Sequence, residues 1–204
     1  MAAVDKSLYE KFTIESVDQS KTADIAAGVV NFRYYEDVYS PMLTATVVVA
    51  NTGNVIEGDD GKIQSLYNGF PLRGGERLNI KIAGNSDDNE GLELNDLYVG
   101  SITNVMIESG REIFTLNLVS REAITNETVR VGKKFPVAQK ISDSVKDICE
   151  NYLSTDKLYD IDETMNPYGF YGNMRKPFTI LTMLASKSVP GNVCLLYTSD
   201  AADD

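Results

Sequence analysis

Histidine is absent from all 204 residues, and cysteine occurs only twice, at Cys149 and Cys194. Without histidine there is no Ser-His-Asp or Cys-His arrangement and no HExxH zinc site. The side chain that most often serves as a general base is missing too. Two cysteines build neither a disulfide framework nor the four-cysteine ligand set of a structural zinc site. No run approaches the roughly 18–20 consecutive apolar residues that carry a helix across a bilayer. Met1–Glu10 holds Asp5, Lys6 and Glu10 where a signal peptide needs an apolar stretch. These absences argue against an enzyme, a metalloprotein and a membrane-anchored protein. The expectation is that the chain has no catalytic residues, no cofactor site and no metal site.

Basic residues are also in deficit. Nineteen lysines and arginines face 30 aspartates and glutamates, for a formal net charge of −11. An acidic surface repels phosphate backbones, which removes the counterion-release term that drives nucleic-acid binding. A solvated acidic surface is the plain reading. A narrower one is that a protein lining a DNA conduit should not adhere to DNA. With 43% hydrophobic and 24% charged residues, the composition is that of a globular chain able to bury a real core.

The first two thirds read as short strands between turns. Phe12–Val17 alternates apolar and polar residues, as a half-buried strand does. Gly28–Tyr35 and Leu43–Ala50 are rich in β-branched and aromatic residues, with Ser40-Pro41 stopping the pairing between them. Asn51–Gly53 and Glu57–Gly61 are turn or loop chemistry, and Ile63–Tyr67 fits a short helix or turn. Arg77–Ile82 alternates cleanly, with Leu78, Ile80 and Ile82 on one face. After a polar loop from Gly84 to Gly91, Leu97–Ile107 and Glu112–Val119 form two strands joined through Glu108–Arg111. Phe12–Val119 is therefore expected to be one mainly antiparallel β domain, a barrel or sandwich.

After Ser120 the period changes. Ser120–Glu127 suits a short capped helical turn. Ile141, Val145, Ile148, Cys149 and Tyr152 fall on one helical face, with Ser142 or Asp143 as a candidate cap. Pro177–Ser188 suits a second helix with proline in its first turn, its face formed by Phe178, Leu181, Leu184 and Ala185. Val189-Pro190-Gly191 ends it. The fold class is α+β, mainly β. A β domain over residues 8–122 precedes the start of an incomplete, helix-containing domain over 123–193.

The last eleven residues, Cys194–Asp204, continue none of these patterns. They resemble the translation of a sequencing-library adapter read straight through in one frame. They are set aside as a non-native tail.

Few motifs suggest chemistry. Gly69–Gly75 lacks the lysine and following helix of a phosphate loop, and a tight turn feeding Arg77–Ile82 explains it better. Asp87–Gly91 resembles a calcium loop, but Leu92 stands where glycine is needed and Tyr98 where glutamate is needed. Cys149 lies on an apolar stripe with no histidine to activate it, which makes it a core thiol. Asn126-Glu-Thr128 matches a glycosylation sequon in a chain with no secretory context. Asn166–Asn173 is aromatic and glycine-rich. With Tyr67, its Tyr168, Phe170 and Tyr171 suit a contact surface or ordinary packing under a loop.

Several segments, taken in order, resemble the baseplate hub protein of T-even-like contractile-tailed bacteriophages. They are Glu36–Ala45 with the Val-rich strand after it, Gly69–Leu78, Leu118–Glu127, Arg130–Pro136 and Asn166–Pro190. The resemblance spans roughly residues 8–193, and it lies in order and spacing more than in any single motif. It implies a tail-tube-like β-barrel, of which only the first of two per subunit is present here. It implies a homotrimer whose barrels form a pseudo-six-fold ring. That ring joins the tail tube protein to the central spike protein and lets DNA pass without specific binding. The location implied is the virion tail baseplate, after assembly in the host cytoplasm. Three other readings compete. One is the hub part of a type VI secretion or other contractile injection spike. Another is a receptor- or carbohydrate-binding β domain, marked by an exposed aromatic platform. The third is a cell-wall hydrolase, which needs a carboxylate pair in a cleft.

Overall fold

The computed structural model describes residues 8–37, 39–51, 56–57, 61–70, 72–84, 91–108, 111–155 and 161–191. The Asp87–Gly91 candidate loop, the turns at Asn51–Gly53 and Glu57–Gly61, and the tail Cys194–Asp204 lie wholly or largely outside these residues. The chain divides into two compact units, Met1–Ala123 and Ile124–Asp204.

The first unit is built on a seven-stranded antiparallel sheet. Its strands are β1 (Tyr9–Glu15), β2 (Thr22–Asp24), β3 (Val29–Tyr35) and β4 (Thr44–Asn51). Two-residue β5 (Ile56–Glu57) and β6 (Ile63–Gln64) pair apart from the sheet, followed by one helical turn, α1 (Leu66–Gly69). Then come β7 (Arg77–Ile82), β8 (Leu92–Glu108) and β9 (Arg111–Ser120). The order across the sheet is β2-β1-β7-β8-β9-β4-β3.

That order forces the sheet to curl. β2 and β3 stand at opposite edges, yet only a 3-10 turn at Ala26–Gly28 and its flanking residue Ile25 join them. Seven strands laid flat would separate their edges by roughly 29 Å. Five chain steps reach at most about 17 Å. The edges must therefore swing together into a half-barrel, with Ile25 donating its N–H to the Phe12 carbonyl at 2.8 Å. A cleft of about 510 Å³ remains at this seam, lined by Thr22, Ile25, Gly28, Val49, Leu66 and Phe70 among others.

β8 bends to match. Its ladder slips opposite Asn79, at Gly100 and at Asn104–Val105, and Asp96 and Asn104 take positive φ values of 60° and 52°. Asn and Asp tolerate that left-handed region better than other side chains, and each bulge adds bend and twist. The Asp96 N–H donates to the Asn79 side chain at 3.1 Å. The first bulge also explains why the strand starts at Leu92 and not at the expected Leu97, since it interrupts the alternation the sequence shows.

Inside the curl, alternate residues of the long strands form the core. Phe12, Ile14, Val47, Leu78, Ile80, Val99, Phe114 and Leu116 are all buried. Phe12 meets Phe32 and Tyr9 edge-on at centroid distances of 5.7 and 5.2 Å. The expected β domain over Phe12–Val119 is thus mainly antiparallel, and Arg77–Ile82 forms as read. Val17 falls outside β1 and is exposed, because Ser16 already begins the turn into β2.

The second unit is made of short elements. α2 (Arg121–Thr128) runs across the division between the units. It is followed by β10 (Lys134–Phe135), α3 (Ile141–Asn151), β11 (Phe170–Tyr171) and α4 (Pro177–Ala185). β10 pairs with β11, and their Phe135 and Phe170 rings stack at 4.4 Å. Val131, Phe135, Ile141, Ile148, Ile180 and Leu184 form the buried core. The α4 face differs from the expected one in two places: Ile180 is buried and Ala185 is exposed. The helix ends at Ala185, before Val189-Pro190-Gly191.

Neither Ser142 nor Asp143 caps α3. The N-cap position is Lys140, whose side chain makes no capping bond, and Ser142 lies inside the helix. The cap comes from outside: Thr164 Oγ1 accepts the Ser142 N–H at 3.1 Å, and Ser142 Oγ accepts the Thr164 N–H at 3.4 Å. α4 is capped in the same manner. Asn126 Oδ1 accepts the Phe178 N–H at 2.8 Å.

Candidate functional site

Several of the residues that looked chemically suggestive hold the fold together, while the Asp87–Gly91 loop lies almost wholly outside the described residues. At Gly69–Gly75 the chain makes the expected tight turn, with Gly74 and Gly75 at φ 96° and 93°, where a side chain would be strained. The Glu76 carboxylate is fully buried beneath it. It accepts N–H bonds from Arg73 at 2.5 Å and from Gly74 at 3.0 and 3.1 Å. The turn therefore closes on its own acid, and its amides do not point outward at a phosphate. Glu112 is the other buried carboxylate among the described residues. It accepts the Ser65 hydroxyl and, at 3.2 Å, the Tyr67 N–H, tying α1 to β9. Both acids spend their oxygens on neighbouring donors, as buried charge must.

Asn126, the sequon asparagine, is only 5% exposed, and its amide oxygen is engaged at the start of α4. A glycan, which attaches through Nδ2, would have to displace the packing around this buried side chain. Cys149 is half-buried on α3. Among the described residues, no three Asp, Glu, Cys or His side chains gather into a group that could hold a metal. No described helix is long and apolar enough to cross a membrane.

The aromatic loop is mostly packing. Phe170 is half-buried between Phe135 and Tyr168, whose ring lies 5.9 Å away, and Tyr67 leans on Phe114 at 5.7 Å. Its glycines answer to close approach: a Cβ on Gly172 would overlap the Val131 carbonyl. Tyr171 alone presents a largely exposed ring, with the Lys134 ammonium over it at 5.3 Å.

The ion pairs are surface features. Lys133 binds Asp147 at 2.8 Å, which raises the lysine pKa. Lys140 pairs with Glu163, raising the lysine and lowering the acid. Exposed pairs of this kind contribute little stability. One polar turn is tighter. Asp18 accepts the hydroxyls of Ser16 and Ser20 at 2.6 and 2.7 Å and the Ser20 N–H at 3.1 Å, which lowers its pKa from 3.8 to about 2.

Tyr35, Tyr39, Met42 and Val30 are exposed on or near β3, and Val105, Met106, Ile107 and Ile113 near the β8–β9 turn. A groove of about 350 Å³ in the second unit is lined by Ile141, Val145, Leu181, Ala185 and Pro190, among others. Large apolar side chains left outside a core mark interaction surfaces when they cluster. Sequence reasoning missed these positions because β-branched and aliphatic residues in a strand read as core whichever face they occupy.

No protein-family model matches the chain, and no curated protein matches it in sequence. Solved structures do match. The 43 kDa tail protein of prophage MuSo2 from Shewanella oneidensis superposes over 89% of this chain with a TM-score of 0.56 at 12% identity. Two looser likenesses are a tail protein of Neisseria meningitidis MC58 and an E. coli type VI secretion component. Their TM-scores are 0.48 and 0.43, at 10% and 7% identity, over 86% and 91% of the chain. The chain spans about half the length of these proteins, 48%, 44% and 41% respectively. The fold is therefore similar to that of about half of the MuSo2 tail protein.

Proposed function

We propose that the chain is a structural subunit of a contractile phage tail, the N-terminal part of a baseplate hub protein. Its barrel domain, residues 8–122, belongs to a ring that joins the tail tube to the central spike. The region from 123 to 193 begins the next domain. The observation that carries this reading is the curled seven-stranded antiparallel sheet, a fold shared with a phage tail protein. The segment resemblance given above supports the narrower assignment to the hub.

The physics fits the role. A ring of repeated copies needs subunits with sheet edges and apolar patches to offer neighbours, and no catalytic cleft. The acidic balance, which remains when Asp200, Asp203 and Asp204 of the set-aside tail are left out, would let DNA pass a lumen without the tight phosphate binding that a basic wall creates. The partners are two further copies, the tail tube protein and the spike protein. The location is the virion baseplate, after assembly in the host cytoplasm. The two buried carboxylates serve the fold, so the hydrolase reading finds no support in them.

Negative-stain electron microscopy of the longer gene product tests the reading. Rings with a central opening wide enough for duplex DNA are the expected result. Isolated particles without an opening would overturn it.

A further inference from the structure

β10, β11 and the turn that follows them present an exposed face in the second unit. Lys134 pairs in register with Tyr171, and its ammonium lies over the Tyr171 ring at 5.3 Å. Their strand neighbours Phe135 and Phe170 stack on the opposite side, toward the core. Two apolar side chains flank the exposed pair. A Cβ on Gly132 would come within 3.1 Å of the Met174 sulfur, and one on Gly169 within 2.8 Å of a Val137 methyl. Gly132 and Gly169 each lie two residues from a member of the pair, so extended backbone opens them to the same side. Tyr171, Met174 and Val137 are 60, 65 and 77% exposed.

The turn that carries Met174 is not one that stability alone would select. Arg175 donates its N–H to the Gly172 carbonyl at 3.0 Å, and both residues between them are left-handed, Asn173 at φ 49° and Met174 at 56°. Such turns favour Asn-Gly, because glycine takes the second position without a steric penalty. Methionine there costs stability and leaves an apolar side chain in water. A held outlier of this kind points to a use outside the fold.

The face is also cationic. Residues 124–193 carry nine basic and eight acidic side chains, against ten and nineteen in residues 1–123, so the acid excess ahead of the tail belongs to the first unit. Lys133 spends its charge on Asp147. Neither Lys134 nor Arg175 has an ion pair among the described residues.

We infer that this face docks a second, different protein through a segment with an apolar centre and carboxylates beside it. Tyr, Met and Arg are enriched at protein interfaces, and methionine adapts to apolar partners of varied shape. Lys134 and Arg175 match carboxylates at the rim, and two cations are too few to hold a phosphate backbone tightly. A copy of the chain meeting this face with the same face would set like charges together. The inference does not depend on the ring reading, and its failure would leave that reading untouched.

Nitrogen-15 NMR on the 204-residue chain tests it. The probe is a ten-residue peptide of glutamates around two central phenylalanines. Amide shifts are expected at Lys134, Tyr171 and Met174, growing as the peptide is raised to about 1 mM. Lys134→Glu with Arg175→Glu should weaken binding about tenfold. Met174→Gly should raise the melting temperature by about 2 °C and weaken binding about fivefold. Damage to the fold could not do both. Shifts confined to another surface, no shifts at that concentration, or equal binding of a peptide with lysine in place of glutamate would overturn the inference. So would a Met174→Gly chain that binds the peptide as well as the unaltered one. Tighter binding of a ten-residue oligothymidylate would overturn it in favour of nucleic acid. Self-association through these residues would overturn it in favour of a second copy.

Discussion

The two units reach folded structure by different means. In the first, long strands meet in register over up to eight consecutive residue pairs, and buried residues from most of the large sheet's strands share one core. In the second, the described strands are two residues long, and the packed cluster at its core holds six buried hydrophobic residues among those described. Its helices start on polar side chains supplied from distant positions, Thr164 for α3 and Asn126 for α4. The sheet unit thus depends on repeated apolar burial, where each strand contributes much the same kind of contact. The second unit depends on a few specific hydrogen bonds, each of which is easy to remove.

Core truncation should separate the units most clearly. Phe114→Ala removes a fully buried ring from the sheet core and should cost about 3–5 kcal/mol, read as a fall in the urea midpoint. Hydrogen exchange should show the loss concentrated in β4, β8 and β9. Equal loss of protection across α3 and α4 would mean that the two units unfold as one.

Next come the buried acids. Glu76→Ala leaves the Arg73 and Gly74 N–H groups without their acceptor and should cost about 1–3 kcal/mol. Glu76→Gln keeps one oxygen and should cost less. If the two variants were equally stable, the carboxylate would not be what holds the turn.

The distant caps should each be worth about 1 kcal/mol. Asn126→Ala and Thr164→Ala remove the acceptors of the Phe178 and Ser142 N–H groups, and the effect should stay within the second unit. Asn126→Asp should keep most of the cap. A thermal shift indistinguishable from zero in both alanine variants would show that the small core alone carries this unit.

Asp18 gives the smallest effect. Its folded pKa of about 2 lies below the 3.8 of the ordinary carboxyl, mainly through the Ser16 hydroxyl. Its contribution to stability is therefore fully present above pH 3.8 and is lost as pH falls through about 2. A carboxyl titration followed by NMR should show a midpoint near the lower value. Ser16→Ala should move it back up, and a midpoint that ignores this change would remove the hydroxyl as the cause.

The contrast between the units also explains what was legible in the sequence. Alternation at Arg77–Ile82 and the 3.6-residue period at Ile141–Tyr152 come from burial of one face, so the residues themselves carry the signal. The bulge at Asn95–Asp96 hid the first residues of β8, because an inserted residue breaks a period of two. Ser142 looked like a cap because caps are usually local, whereas the oxygen that does the work belongs to Thr164, 22 residues away. The sequence also left the candidate surface unmarked. Met106 and Ile107 read as strand interior, and only the end of β7 at Arg77 opposite Tyr98 leaves their edge open.

The hub role proposed above requires that the protein assemble. Multi-angle light scattering on the longer gene product, at tens of micromolar, tests it most directly. A single species with the mass of a trimer is the expected result. A monodisperse monomer at that concentration would contradict it and favour a receptor-binding domain in its place.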